Sequence, residues 1–177
     1  MKHALLTTTI LAATISGSAF AKNVDIDVHQ VDEQGTTLEL GTIAVSETDY
    51  GLLFTPQLSG LTPGLHGFHV HQHPDCGPKT KDNGQVVPAG AAGGHFDPTD
   101  TGQHLGPYDV NGHLGDLPAL YVDNEGHAKT PVLAPKLTAI TEIQGHAIML
   151  HANGDNFSDT PKPLGGGGAR MACGIIN

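Results

Sequence analysis

The chain holds 12 histidines in 177 residues, against 3 tyrosines, 5 phenylalanines and no tryptophan, and the chemistry it can do starts from how those histidines are spaced. His69-Val70-His71 sets two imidazoles two residues apart. On a strand they project from one face and can reach one ion. Alone, such a pair describes two polar side chains on a solvated face equally well. His95, His104, His113 and Asp116 follow at spacings of nine, nine and three. Three imidazoles and one carboxylate make a complete tetrahedral shell for zinc, and a closed set of four suits a structural ion. His151 ends an apolar run that begins at Gly145. Imidazole-only surroundings favour Cu(II), which heads the divalent affinity order, whereas the carboxylate-containing shell suits zinc. Any one of these histidines reads best as an ordinary polar side chain; the joint arrangement points to two nitrogen-rich metal sites.

The elements that must position them are strands. Val24-Asp25-Ile26-Asp27-Val28 alternates with period two, and Asp32-Glu33-Gln34-Gly35 reads as a turn leading into Leu38-Glu39-Leu40 and Ile43-Ala44-Val45, which suggests a hairpin. Further strands are expected over Gly51–Pro56, Gly64–Gln72, Ala119–Val122, His127–Leu133, Gly145–Ala152 and Ala169–Ile176. About eight short strands punctuated by Gly, Pro and Asn argue for an all-β sandwich or barrel. Two stretches break the rhythm: His73–Asp116, dense in Gly, Pro and His, and Asn153–Gly168, which ends in four glycines. Long irregular loops in a compact domain are usually functional or disordered, and Cys76 with four metal-type side chains could order the first by cross-links. No Lys-Ser/Thr follows the glycines, so they read as a close backbone approach or a tight turn, not a phosphate cradle. Asn156-Phe157-Ser158 matches a glycosylation sequon and is expected to stay unmodified.

Residues 1–21 read as an export signal. Lys2 supplies positive charge, Ala4–Ile15 is apolar to small and uncharged, and Ala19-Phe20-Ala21 is an A-x-A cleavage site. One domain, residues 22–177, remains, and no segment is long enough to span a bilayer. In an oxidising compartment the two cysteines, Cys76 and Cys173, are better paired than free. Their bond would close a loop of nearly a hundred residues, and no C-x-x-C spacing supports a metal role. With 8 basic and 18 acidic residues the net charge is −10, which makes nucleic acid a poor partner.

Gly67-Phe68-His69-Val70-His71, Gly94-His95-Phe96, His113-Leu114-Gly115-Asp116, and Gly165–Arg170 followed by Ala172-Cys173-Gly174 resemble the signature of the Cu,Zn superoxide dismutases. Gly154-Asp155-Asn156 and Pro161-Lys162-Pro163-Leu164 are similar to the bacterial, periplasmic branch. The resemblance runs over nearly the whole of residues 22–177. It implies an eight-stranded, immunoglobulin-like Greek-key β-barrel or sandwich with two long functional loops, and dismutation of superoxide in the periplasm. It implies one copper per subunit on His69, His71, His95 and His151, and one zinc on His95, His104, His113 and Asp116, with His95 as the bridge. Asp155 becomes the carboxylate behind one ligand of each metal, Arg170 the guide for the anion, and Cys76–Cys173 the internal disulfide. Members are monomers or homodimers, and both stay open.

Five histidines are left over. His66 is expected in the core, bonding between loops, and His29, His127 and His146 in structural or exposed roles. Pro74 is expected to end the strand before His73 can join the ligands. Lys162 reads equally as a steering charge or a solvated lysine. The competing functions are a metal carrier on the same scaffold, which needs neither Arg170 nor Asp155, and a mononuclear oxygenase, which lacks its carboxylate at the H-x-H site.

Overall fold

The structure, a computed structural model, describes residues 23–177; the expected leader, Met1–Ala21, lies outside the described residues. The strands are β1 (Asn23–Asp32), β2 (Gly35–Thr48), β3 (Gly51–Leu58), β4 (Gly64–His66), β5 (Phe68–His71), β6 (Lys79–Thr80), β7 (Val86–Val87), β8 (Leu120–Val122), β9 (Val132–Ala134), β10 (His146–His151) and β11 (Arg170–Ile176). Helix is confined, among the described residues, to three single 3-10 turns. None is long and apolar enough to cross a membrane.

The alternation in β1 does what the pattern predicts: Ile26 and Val28 are buried while Asp25 and Asp27 face water. Asp32 closes the turn into β2, its Oδ1 accepting from the amides of Gln34 and Gly35 at 2.7 and 3.1 Å. Seven strands form one antiparallel sheet in the order β5-β10-β11-β1-β2-β3-β9. Phe68 on its first strand nevertheless packs edge-to-face on Phe54 of its sixth, with ring centroids 5.7 Å apart. The sheet therefore curls on itself, and the enclosed side chains, among them Ile26, Ile43, Leu52, Phe54, Phe68, Val70, Ile148 and Leu150, form the main core. The expected all-β architecture is present.

Two expected strands differ. Gly64–Gln72 breaks at Gly67: β4 pairs with β8 in a separate ribbon, while β5 joins the main sheet. The Gly67 amide and carbonyl are used by Asn153 O and His151 N, and a Cβ there would press on His69 at 3.2 Å. Of His127–Leu133 only the end is strand, because Ala128 makes an isolated bridge to Leu58 and the chain then leaves the ladder until Val132. Within His73–Asp116 a small β6–β7 hairpin adds order that apolar periodicity did not signal.

Cys76 and Cys173 are bonded, with Cα atoms 5.8 Å apart and a sequence separation of 97. The bond sits in a second apolar cluster with Val31, Ala89, Ala92, Ala147 and Met149, on the opposite face of the sheet from the main core. It ties the first long loop to β11.

Candidate metal centre

All four residues of β5 are buried. Phe68 and Val70 enter the main core, so alternation sends His69 and His71 to the other face. The loop from Gly94 to Asp116 then covers the free edge of β5. Phe96 donates its amide to Val70 O at 2.8 Å, Val70 donates to Gly115 O at 2.9 Å, and Leu117 donates to Phe68 O at 3.2 Å. This pairing sets Asp116 opposite His69 and His95 opposite His71. On the other side, β10 carries His151 as its last residue. A register shift between β10 and β11 takes the pairing from Leu150↔Ala172 to His151↔Arg170, leaving Met171 as the extra residue. Such a bulge re-aims a side chain; here it brings an arginine alongside a buried histidine.

Two overlapping groups of donor atoms result, each with its atoms within 4.8 Å of one another: His69, His71, His95 and His151, and His69, His95, His104 and Asp116. All six side chains are buried. Asp116 Oδ1 lies 2.9 and 3.1 Å from Nδ1 of His95 and His104 in the second group, and 3.3 Å from Nδ1 of His113, just outside it. Ligands bound at about 2.0–2.1 Å in a tetrahedron stand about 3.3 Å apart, so the spacing suits one small ion. Nδ1 of His69 and Nε2 of His71, His95 and His151 are buried without any hydrogen-bond partner. Four desolvated acceptors facing one another without donors would be costly in a metal-free core; a cation resolves them. The donor set fits two adjoining ions that share the His95 ring.

The other nitrogen of each ring is held. Asp155 reaches into both groups, its Oδ2 2.7 Å from His69 Nε2 and its Oδ1 2.8 Å from His104 Nε2. His71 Nδ1 donates to Gly93 O at 3.0 Å and His151 Nδ1 to Gly168 O at 3.2 Å. Such partners fix tautomer and ring direction. The glycines after Pro163 make room for this: a Cβ on Gly165 would fall 1.8 Å from Asp155 Oδ1 and 2.8 Å from His104 Nε2. The stretch is a close backbone approach, as expected.

Electrostatics divide the centre. Burial, with neighbouring rings, brings His69 down to about 3 and His151 down to about 4, and holds His71 well below its ordinary value. His95 is lowered too, by burial that its bond to Asp116 only partly offsets. For His104 burial is outweighed by hydrogen bonds to Asp116 and Asp155, which raise it to about 9. Both carboxylates are buried, yet the same imidazole bonds hold them below the usual carboxylate range.

Arg170 donates from Nη1 to Ala89 O and from Nη2 to Gly93 O, the carbonyl that also holds His71. His66 bonds His151 O at 2.8 Å and Thr62 O at 2.7 Å from within the core, as expected. His73 and Lys162 are exposed, and β5 ends at His71. His146 bonds Gln72 O at 2.8 Å and packs on Phe96. Two supporting residues had no signal in the pattern. Asp159 joins the two long loops, accepting from the amides of His104 and Leu164 at 2.9 Å each. Lys136 bonds loop carbonyls and belongs to no motif.

An antiparallel β-fold with two buried donor groups that overlap at His69 and His95 defines a metalloprotein with a paired centre. The copper/zinc superoxide dismutase (SODC) family model matches residues 39–176. Superoxide dismutase (Cu-Zn) 1 of Salmonella typhimurium is 55% identical over 177 residues, covering 99% of each chain. The structure is similar to the Cu/Zn superoxide dismutase from Brucella abortus, with a TM-score of 0.86 and 47% identity over 88% of this chain and 100% of that one. The solution structure of the monomeric copper, zinc superoxide dismutase from Salmonella enterica gives 0.79 and 51% over the same shares. This chain belongs to the copper/zinc superoxide dismutase family, and it is an oxidoreductase with copper and zinc as cofactors.

Proposed function

We propose that the protein converts two superoxide ions and two protons into dioxygen and hydrogen peroxide in the periplasm, as the domain of residues 22–177 left when the leader 1–21 is removed. The observation that carries the reading is His95, whose Nδ1 faces Asp116 while its Nε2 is buried and unpartnered among His69, His71 and His151. On this reading His69, His71, His95 and His151 hold copper, and His95, His104, His113 and Asp116 hold zinc. The first set is all imidazole and the second includes a carboxylate, which matches the preferences of the two ions. The leader, with Lys2 before the uncharged Ala4–Ile15 stretch, and the Cys76–Cys173 bond support an oxidising compartment. Each chain carries every donor, so the reading holds for a monomer or a homodimer.

Bound copper supplies a one-electron couple, and bound zinc a fixed charge that orders the loop. His95 would hold both, and a ring flanked by two cations would give up its second proton. Its Nε2 is the atom placed to hold a proton between half-reactions and pass it to the reduced anion, the second proton coming from water. Asp155 keeps His69 and His104 aimed through all of this. Arg170 is the anion's guide: two carbonyls fix its plane, and its remaining N–H donors with their permanent charge suit a small diatomic anion. It also lines a cavity of about 470 Å³ with Lys79 and Lys81. In a chain of net charge −10 that clustering gathers positive field where an anion must approach. The disulfide supports this arginine indirectly, because Ala89, whose carbonyl clamps it, is packed in the cluster around the bond.

The test is protection of cytochrome c from a steady superoxide source. Metal-loaded protein is expected to protect and chelated protein to lose the effect; loaded protein that gives no protection makes the chain a metal carrier instead.

A further inference from the structure

We propose that Lys136, outside the ligand motifs, is a positioning residue that holds the zinc loop in its binding conformation through the backbone of His113. The inference rests on the zinc reading given above.

Lys136 is mounted on the rigid part of the barrel. It follows β9, between Ala134 and Leu137, both buried. Leu137 donates its amide back to Ala134 O at 3.3 Å, and its carbonyl accepts from Leu52 N of β3 at 2.8 Å. From this base the half-buried side chain crosses to the loop, where Nζ donates to His113 O at 2.6 Å, Gly106 O at 2.8 Å and Asp109 O at 3.3 Å. An ammonium has three N–H donors, and all three are used on one loop. No carboxylate lies within ion-pairing distance of it among the described residues, so an acidic partner does not account for its place.

What it holds is the ligand least held otherwise. His95 is tied to the edge of β5 through Phe96, and His104 has both Asp155 and Asp159. His113 lacks a carboxylate behind its ring, lies furthest of the three from Asp116 Oδ1 at 3.3 Å, and stands outside the tight donor group. Its backbone is fixed instead: the amide donates to Gln103 O at 2.9 Å, and the carbonyl accepts from Asp116 N at 3.3 Å and from Lys136. Lys136 closes the turn that brings residues 106, 109 and 113 over Asp116, and so sets where the fourth zinc donor sits. A cation beneath three carbonyls also opposes the mutual repulsion of Asp97, Asp109 and Asp116, which lie in its field.

The experiment compares wild-type protein with Lys136→Met and Lys136→Arg. Zinc release from loaded protein into a chromophoric chelator is timed, and the visible spectrum of the cobalt-substituted protein is recorded. Loss of a group that orients a metal ligand costs about 10–100-fold in metal affinity, and release by Lys136→Met is expected to quicken on that scale. Its cobalt spectrum should lose tetrahedral intensity, while Lys136→Arg, which keeps charge and donors, should stay near wild type. Lys136→Met that holds zinc as firmly as wild type, with an unchanged cobalt spectrum, overturns the role of Lys136. So does a uniform loss of thermal stability in both variants with unaltered zinc release. Wild-type protein that holds no zinc at all defeats the zinc reading instead. Should Lys136→Met fail to accumulate folded, Lys136→Gln, which keeps two donors, replaces it under the same criteria.

Discussion

His69, His71 and His151 stand on β5 and β10, whose alternate residues are locked in the main core, whereas His104, His113 and Asp116 lie outside any strand, on a loop that touches β5 only through single bridges. In the strand half alternation and one bulge aim the rings, and Asp155, Gly93 O and Gly168 O then hold their second nitrogens. The loop half is assembled from cross-braces, Asp155 and Asp159 from the second loop, Lys136 from below and the disulfide from β11. The halves also differ in charge. Burial keeps the strand rings neutral, while His104 sits between two carboxylates that favour its charged form. The difference teaches that one centre can join a preformed acceptor pocket to a site that depends on its braces.

Breaking the disulfide should produce the largest effect and should separate the halves. Closing a loop of this length is worth about 4–5 kcal/mol in the chain-entropy account. Cys76→Ala with Cys173→Ala is therefore expected to lower the urea unfolding free energy by up to about that amount. Hydrogen exchange should quicken around residues 89–113 well before amides of β10 respond. Uniform quickening in both places would show that the loop has no separate dependence on its brace.

Acid should reach the strand half of the metal-free protein next. His69, lowered by burial to about 3, and His151, lowered to about 4, resist protons that the unfolded chain takes up below its ordinary 6.5. The unfolded state then binds more protons than the folded one, so stability falls with falling pH from 6.5 downward, by up to about 1.4 kcal/mol per unit for each ring. His104 runs the other way: raised to about 9, its contribution is complete below 6.5 and is lost as pH rises through 9. Chemical unfolding of metal-free protein between pH 7 and 5 should show the loss. A flat profile there means the strand rings are not held neutral.

The candidate donors of both halves were legible in the sequence and two of the braces, Lys136 and Asp159, were not, for a physical reason. H-x-H on a strand, a histidine closing an apolar run and three histidines with an aspartate leave period-two or fixed-spacing traces that name the donors directly. The resemblance named Asp155, Arg170 and the cysteines. Lys136 acts through backbone carbonyls that any sequence supplies, and Asp159 through two amides, so neither leaves a spacing to read. The break at Gly67 was invisible likewise, because it depends on Asn153 and His151 arriving from far along the chain. The four glycines announced a close approach without saying to what.

What they approach allows the smallest and sharpest test. Asp155→Asn removes charge from a carboxylate that bonds one ring in each half, and the expected cost is about 10–100-fold in metal affinity. If mounting matters, competition titrations should place most of that loss at zinc, since His69 keeps its strand while the ring of His104 is left with only its loop and the Asp159 bond to its backbone amide. Gly165→Ala leaves the carboxylate chemically intact and merely displaces it. Its backbone sits at φ 67°, where a side chain costs about 1–2 kcal/mol, and the new Cβ would occupy the space of Asp155 Oδ1. About a tenfold loss at zinc, with copper affinity nearly unchanged, is the outcome that fits a brace. Equal losses at both metals would mean that Asp155 serves the strand histidine as much as the loop histidine, and that the two halves are less independent than their mounting suggests.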